Sequence, residues 1–234
     1  MVDGIIAQAL SPYWESDEAV LYHGDCRDVL PLLQTVDLIV TDPPYGVDYK
    51  SGWTDGEKIP GDDGSLDVAA CLDLAVGKLN IARHAYVFGE FDLSTLKITK
   101  PVQLIWDKVS LSGGDLKSPW AKQHEPIMFF AKADRASRHR GKEGLASKLR
   151  KGSILRYQRR NGRKGHHPTE KPVMLLQEMI ESSSRFGETV LDPFAGSGST
   201  LIAAVREGRK AIGIECSEAW CDQAAKRLEA ETNG

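Results

Sequence analysis

Apolar residues in this 234-residue chain fall into short, nearly continuous runs, separated by stretches of helical periodicity. Seven runs predict strands, each closed by polar or glycine-containing residues. They are AVLYHGD (19–25), VDLIVTD (36–42), HAYVFGE (84–90), VQLIWDK (102–108), EPIMFFAK (125–132), TVLDPF (189–194) and KAIGIEC (210–216). Apolar positions at helical spacing predict helices over 66–79, 172–185, 199–208 and 218–231. Ser65 is placed to cap the first, and Ser217 opens the last, which carries acids in its first turn. Near-continuous apolar strands alternating with helices predict a mostly parallel sheet covered by helices on both faces.

Two stretches break the alternation. Residues 46–64 (GVDYKSGWTDGEKIPGDDG) are polar and glycine-rich, and a loop of this length is usually functional. Glycines 46, 52 and 61 are its candidate hinges. The second stretch, 133–165, offers little to a core and is strongly basic. Between Lys132 and Lys164, thirteen Lys and Arg residues face two acids, Asp134 and Glu143, in a chain whose net charge is −3. Such a block is either a solvated face or an electrostatic footprint for a polyanion. The remaining composition, 41% hydrophobic and 27% charged, is that of a soluble globular chain. The first twenty residues lack the basic start and apolar centre of a signal peptide, and no apolar run approaches the ~18 residues that span a membrane. Cys26, Cys71, Cys216 and Cys221 form no C-x-x-C pair, so neither structural zinc nor a disulfide framework is expected.

Candidate chemistry sits at two strand ends. TDPPYG (41–46) stops an apolar strand with two prolines, which lack a donor and fix φ. By itself it can be a turn, with Asp42 capping its own backbone and Tyr45 packed on proline. Alternatively, Asp42 and the Pro43 carbonyl can accept hydrogen bonds from a planar amine while Tyr45 stacks on a base. LDPFAGSGSTLIAAVREG (191–208) is a strand, a glycine turn and a helix, with Glu215 ending the next strand. No lysine follows the glycines, which excludes a P-loop, and Leu201 breaks the dinucleotide fingerprint. An acid at Glu215 can hold ribose hydroxyls, so the loop suits a ligand with a ribose and no phosphate.

DPFAGSGST (192–200) followed by GIEC (213–216) resembles the S-adenosylmethionine motif of DNA amino-methyltransferases, and DPPY (42–45) resembles their catalytic motif. The catalytic motif precedes the cofactor motif, which resembles the beta group of that family. HPTEKP (167–172) and YHGD (22–25) match further motifs of the group, and the resemblance runs from about residue 19 to 228. It implies a Rossmann-like α/β methyltransferase fold with a mostly parallel seven-stranded sheet, one antiparallel strand and circularly permuted motifs. Residues 1–132 would form the catalytic half, 133–165 a target-recognition insertion and 166–234 the cofactor half.

The resemblance implies a catalytic set of Asp42, Pro43, Pro44 and Tyr45. The implied S-adenosylmethionine set is Asp25, Thr169, Lys171, Pro172, Asp192, Pro193, Phe194, Ala195, Gly196, Gly198, Ser199, Thr200, Glu215 and Cys216. Asp25 would meet the cofactor's adenine; Lys171 would either meet its methionine carboxylate or cap a surface. Arg138, Arg140, Arg156, Arg159, Arg160, Arg163 and Lys164 would contact double-stranded DNA. Trp106 and Lys108 read as core and strand-end residues, while His166 and His167 are open between phosphate contact and hinge. No metal is expected. The implied reaction is methylation of adenine N6 in a flipped base, because Asp-Pro-Pro-Tyr leans to adenine and Ser-Pro-Pro-Tyr to cytosine N4. Cytosine N4, an RNA or protein amine substrate and a non-catalytic DNA-binding module are the alternatives. Carbon-5 methylation is excluded, since no cysteine follows a proline. The setting implied is the cytoplasm of a bacterium or phage-infected host, with no membrane partner and a homodimer left open.

Overall fold

The computed structural model describes residues 11–45, 64–109, 119–121, 123–133, 151–158 and 170–232. In chain order the strands are β1 (Trp14–Glu15), β2 (Ala19–His23), β3 (Val36–Thr41), β4 (Leu79–Phe88), β5 (Val102–Asp107), β6 (His124–Ala131), β7 (Ile154–Arg156), β8 (Thr189–Asp192) and β9 (Lys210–Glu215). The helices are α1 (Cys26–Val29), α2 (Val68–Lys78), α3 (Val173–Ser183), α4 (Ser199–Arg206) and α5 (Glu218–Thr232).

Among the described residues the strands form one nine-stranded sheet in the order β1-β2-β9-β8-β3-β4-β6-β5-β7. The expected seven strands with one reversed are therefore corrected: the sheet is larger and mixed. Strand β6 runs antiparallel to both β4 and β5, and β1 runs antiparallel to β2. The two additional strands are the edges. Trp14–Glu15 and Ile154–Arg156 are too short to carry a periodic signal, and the second lies inside the basic segment. It joins the sheet because Leu155 is buried and the Trp106 indole donates to the Tyr157 carbonyl at 2.7 Å.

Alternate side chains of the central strands enter two cores. Leu38, Val40, Tyr86 and Phe88 pack with α3, α4 and α5; Ile39, Ala85 and Val87 pack with α1 and α2 on the other face. Period-two strands buried on both sides produce this arrangement. Helix α2 is capped by Asp67, whose carboxylate accepts from the Ala70 amide at 3.0 Å. Ser65 is displaced from the expected capping role because Asp67 is the residue directly preceding the first helical one.

Strands β3 and β8 are parallel neighbours at the centre of the sheet. From β3 the chain moves to β4 on one side, and from β8 to β9 on the other. The loops leaving the C-terminal ends of β3 and β8 therefore flank a topological switch point, where open α/β sheets hold their ligands.

Candidate active site

Strand β3 delivers the turn 42–45 to the switch point. The last strand residue, Thr41, is buried and donates its hydroxyl to Asp192 Oδ1 at the end of β8, 2.7 Å away. Beyond it, Asp42 is held from both sides. The Tyr45 hydroxyl donates to Oδ1 at 2.8 Å, and the Lys171 ammonium donates to Oδ2 at 2.5 Å. The Tyr45 ring is 42% exposed and lies near-parallel to Phe91, with centroids 6.1 Å apart. Gly89 makes room for it: at φ +98°, a Cβ there would fall 2.4 Å from Tyr45 Cε1.

Lys171 is 7% exposed, which excludes the surface-cap reading. Its ammonium also lies 3.4 Å from Glu125 Oε2 and above the Phe88 ring, and Lys108 meets Glu125 Oε1 at 2.6 Å. Asp42, Lys171, Glu125 and Lys108 thus form a row of alternating charge. A buried charge is tolerated only when it is paired, and here each has an opposite neighbour. Burial works to lower the pKa of Lys171, but Asp42 and Glu125 outweigh it and hold the ammonium above the ordinary lysine value. Burial likewise works to raise Glu125, and the two lysines outweigh it, leaving the carboxyl below its usual range.

The glycine loop after β8 is shaped by two acids. Buried Asp192 accepts from Thr41, from the Phe194 amide at 3.1 Å and from the Thr200 hydroxyl. Burial pushes its pKa up to about 6 against these hydrogen bonds. Glu215, at the end of β9, accepts from the Gly196 amide with Oε2 and from the Ser217 amide with Oε1, both at 2.8 Å. Burial also raises Glu215 above the ordinary glutamate value. Gly198 caps α4 in the left-handed region at φ +80°, a conformation that favours glycine.

A cavity of about 220 Å³ opens beside this loop, lined by Gly24, Asp25, Phe194, Glu215 and Cys216 among others. Asp25 reaches its rim, but its carboxylate is engaged locally. It caps α1 by accepting from the Arg27 amide at 2.8 Å and pairs with the Arg27 guanidinium at 2.5 Å. Arg27 hydrogen bonding holds its pKa below the usual carboxylate range.

The C-terminal ends of the central strands therefore gather Asp42, Pro43, Pro44, Tyr45, Lys171 and Pro172 with Asp192, Pro193, Phe194, Ala195, Gly196, Gly198, Ser199 and Thr200. Arg156 lies apart, on edge strand β7, with a 74% exposed side chain 3.4 Å from Asp107. Trp106 is a core residue; Lys108, read as a strand end, is buried against Glu125. Thr169, Arg138, Arg140, Arg159, Arg160, Arg163, Lys164, His166, His167 and the hinges at 46, 52 and 61 lie outside the described residues. Glu125, Gly89, Phe91, Glu170 and Arg227 escaped the sequence reading. An acid opening an apolar strand was a signal for Glu125; Arg227 carried none, since it resembles any exposed helix residue.

Among the described residues no group of three His, Cys, Asp or Glu side chains could hold a metal ion, and no helix is long and apolar enough to cross a membrane. Two loops meeting at the switch point of a mostly parallel sheet, one of them glycine-rich and without a P-loop lysine, define a Rossmann-like α/β fold. The chain belongs to the DNA methylase family: the N6_N4_Mtase family model, described as DNA methylase, matches residues 99–226. It is 28% identical over 262 residues to the Type II methyltransferase M2.DpnII of Streptococcus pneumoniae, covering 94% of this chain and 93% of that one. It is 27% identical to the DNA adenine methyltransferase YhdJ of Escherichia coli K12, covering 93% and 85%. Among solved structures, the M1.HpyAVI complex with SAM superposes with a TM-score of 0.70 at 20% identity, covering 90% of this chain and 98% of that one. The PvuII cytosine-N4-specific methyltransferase gives a TM-score of 0.72 at 16% identity, covering 96% and 93%.

Proposed function

We propose that the chain transfers a methyl group from S-adenosylmethionine to the exocyclic N6 amine of an adenine turned out of double-stranded DNA. The observation that carries this reading is Asp42, gripped by Lys171 and Tyr45 at the end of β3 and tied through Thr41 to the glycine loop. The relative YhdJ is named a DNA adenine methyltransferase, which supports adenine as the target, and M2.DpnII is named a Type II methyltransferase.

The residues fit the cofactor. The cavity presents the buried carboxylate of Glu215 and the Phe194 ring, while its one guanidinium, Arg27, is committed to Asp25. That set suits ribose and an adenine ring better than phosphate. The Gly196 and Ser217 amides and the Cys216 thiol already donate to Glu215, and its remaining acceptor capacity is available to ribose hydroxyls. When bound, S-adenosylmethionine supplies a methyl group on a positively charged sulfur. Pro193, Ala195, Gly196, Gly198, Ser199, Thr200, Thr169, Pro172 and Cys216 complete the proposed cofactor set, with Asp192 supporting the loop from beneath.

An adenine amine is a poor nucleophile because its lone pair is delocalised into the ring. Asp42 and the Pro43 carbonyl accept hydrogen bonds from the amine's N–H groups, which favours a tetrahedral nitrogen with a localised lone pair. Lys171 orients Asp42 for that task, a role that replaces methionine-carboxylate contact in the proposed mechanism. Pro44 removes a competing backbone donor from the turn. Tyr45 supplies a face for the extruded base. The methylated amine is then positively charged and passes its proton to Asp42, its hydrogen-bond acceptor, and on to solvent. The basic segment 133–165, including Arg138, Arg140, Arg156, Arg159, Arg160, Arg163 and Lys164, neutralises DNA phosphates.

Incubation of the protein with S-adenosylmethionine and unmethylated DNA, followed by mass analysis of the nucleosides, tests the reading. N6-methyl-2′-deoxyadenosine is expected; N4-methyl-2′-deoxycytidine would reassign the target base, and the absence of both would overturn the function. Asp42→Ala is expected to abolish transfer while cofactor affinity stays within about threefold, the pattern of an interaction made with the reacting amine. Wild-type turnover in that variant would remove Asp42 from the mechanism.

A further inference from the structure

Helix α5 lies along the glycine loop through Ala224, Arg227 and Leu228, brought to adjacent positions by their helical spacing. Ala224 fits beneath Gly198, where an added Cβ would lie 3.0 Å from the Ala224 Cβ. One turn further along, Arg227 forks between two segments. Its Nη1 donates to the Ser197 carbonyl at 2.7 Å and to the Ser197 hydroxyl at 2.8 Å, and reaches Ser199 Oγ at 3.3 Å. Its Nη2 donates to Glu170 Oε1 at 2.8 Å.

This is unlike an ordinary surface ion pair. One such pair, Arg206–Glu231, joins the end of α4 to α5 with the arginine side chain 46% exposed, and such pairs contribute little. The Glu170 side chain is 4% exposed and that of Arg227 20%, so this pair is shielded from solvent and removal of the cation is costly. A planar guanidinium can serve both sides at fixed spacing, which an ammonium cannot. Glu170 is joined through the backbone to Lys171, whose ammonium holds Asp42. Arg227 thus links the cofactor loop, the 170–172 segment and, through Lys171, the catalytic turn.

We propose that Arg227 is a positioning residue that sets the seat of the cofactor loop and the placement of Asp42 together, through Glu170 and Lys171. The proposal rests on the methyl-transfer reading and extends it to a residue on the final helix.

The test compares Arg227→Ala, Arg227→Lys, Glu170→Gln and the Arg227→Ala/Glu170→Gln double variant of the full chain. It measures S-adenosylmethionine Kd by calorimetry without DNA, kcat on DNA at saturating cofactor, and Tm. Arg227→Ala is expected to raise Kd and lower kcat, each about tenfold, as for loss of charge-assisted hydrogen bonds. Glu170→Gln is expected to lower kcat while Kd changes less than about threefold, and the double variant to be no slower than Arg227→Ala, because the two act as one unit. Arg227→Lys is expected to restore less than half of either loss, and added methylguanidine to recover part of the activity of Arg227→Ala. Losses in kcat that multiply in the double variant, an unchanged kcat in Arg227→Ala, or a change confined to Tm would each overturn the proposal. If Arg227→Ala fails to fold, Arg227→Lys and Glu170→Gln decide by the same criteria. A wild-type protein that binds the cofactor but leaves DNA unmethylated would sink the functional reading instead, and the Kd comparison would still judge the hold of Arg227 on the loop.

Discussion

Two aspartates end neighbouring central strands, and their surroundings divide their work. Asp42 has an ammonium on one oxygen and a phenol on the other, so its charge is balanced where the amine is proposed to arrive. Asp192 is buried with hydroxyl and amide donors and, among the described residues, no cation, and its pKa rises from the ordinary 3.8 to about 6. A raised carboxyl pKa means the folded chain holds this proton more tightly than the unfolded one. The stability it contributes is fully present below about pH 4 and is lost as pH rises through about 6. Asp192→Asn keeps an oxygen to accept from Thr41 and the Phe194 amide and removes the charge. It is therefore expected to stabilise the protein at pH 7.5 by up to about 3 kcal/mol, with little change near pH 4. Thermal melts from pH 4 to 8 check this, and parallel pH profiles for both proteins would contradict it. The two acids were visible in the sequence as strand-ending residues, but nothing local distinguished a paired aspartate from an unpaired one.

At the scale of elements, the strand β4 and the residues after it build the platform for the catalytic ring. Gly89 accepts φ +98° and leaves its Cβ direction empty, and the Tyr45 ring occupies that space. Alanine there would meet both an unfavourable backbone and the ring. Gly89→Ala is expected to lower kcat/KM for DNA by about 10- to 100-fold, because the base-stacking ring is displaced, with cofactor Kd within about twofold. Steady-state kinetics with calorimetry separates the two; an unchanged kcat/KM would show that the Tyr45 position is not critical. Seven strands and the longer helices were legible because each repeats its period several times. Strands β1 and β7, with two and three residues, were not, since their pairing is decided by the edges they extend. The cap of α2 was misread by two positions because Ser65 and Asp67 are both capping residue types, and only the helix start selects between them.

For the whole molecule, charge is distributed as sharply as chemistry. The basic segment contributes β7 to the sheet edge, where Arg156 projects with most of its side chain exposed. Reversing charge at Arg156, Arg159, Arg160 and Arg163 is expected to weaken DNA binding and flatten the slope of log K against log salt by about 3 to 4. Fluorescence anisotropy across a salt series measures the slope, and an unaltered slope would move the DNA surface elsewhere. The amino-acid sequence by itself determined the strands and helices with several turns of their period, the proline-stopped catalytic turn and the glycine loop. These follow from steric and periodic preferences acting over a few neighbouring residues. Only the tertiary structure decided which charges meet: Lys171 reaches Asp42 across 129 positions, and Asp192 reaches Thr41 across 151. Those contacts depend on β3 and β8 being neighbours at the switch point, a result of how all the buried faces pack, which no short stretch of sequence contains.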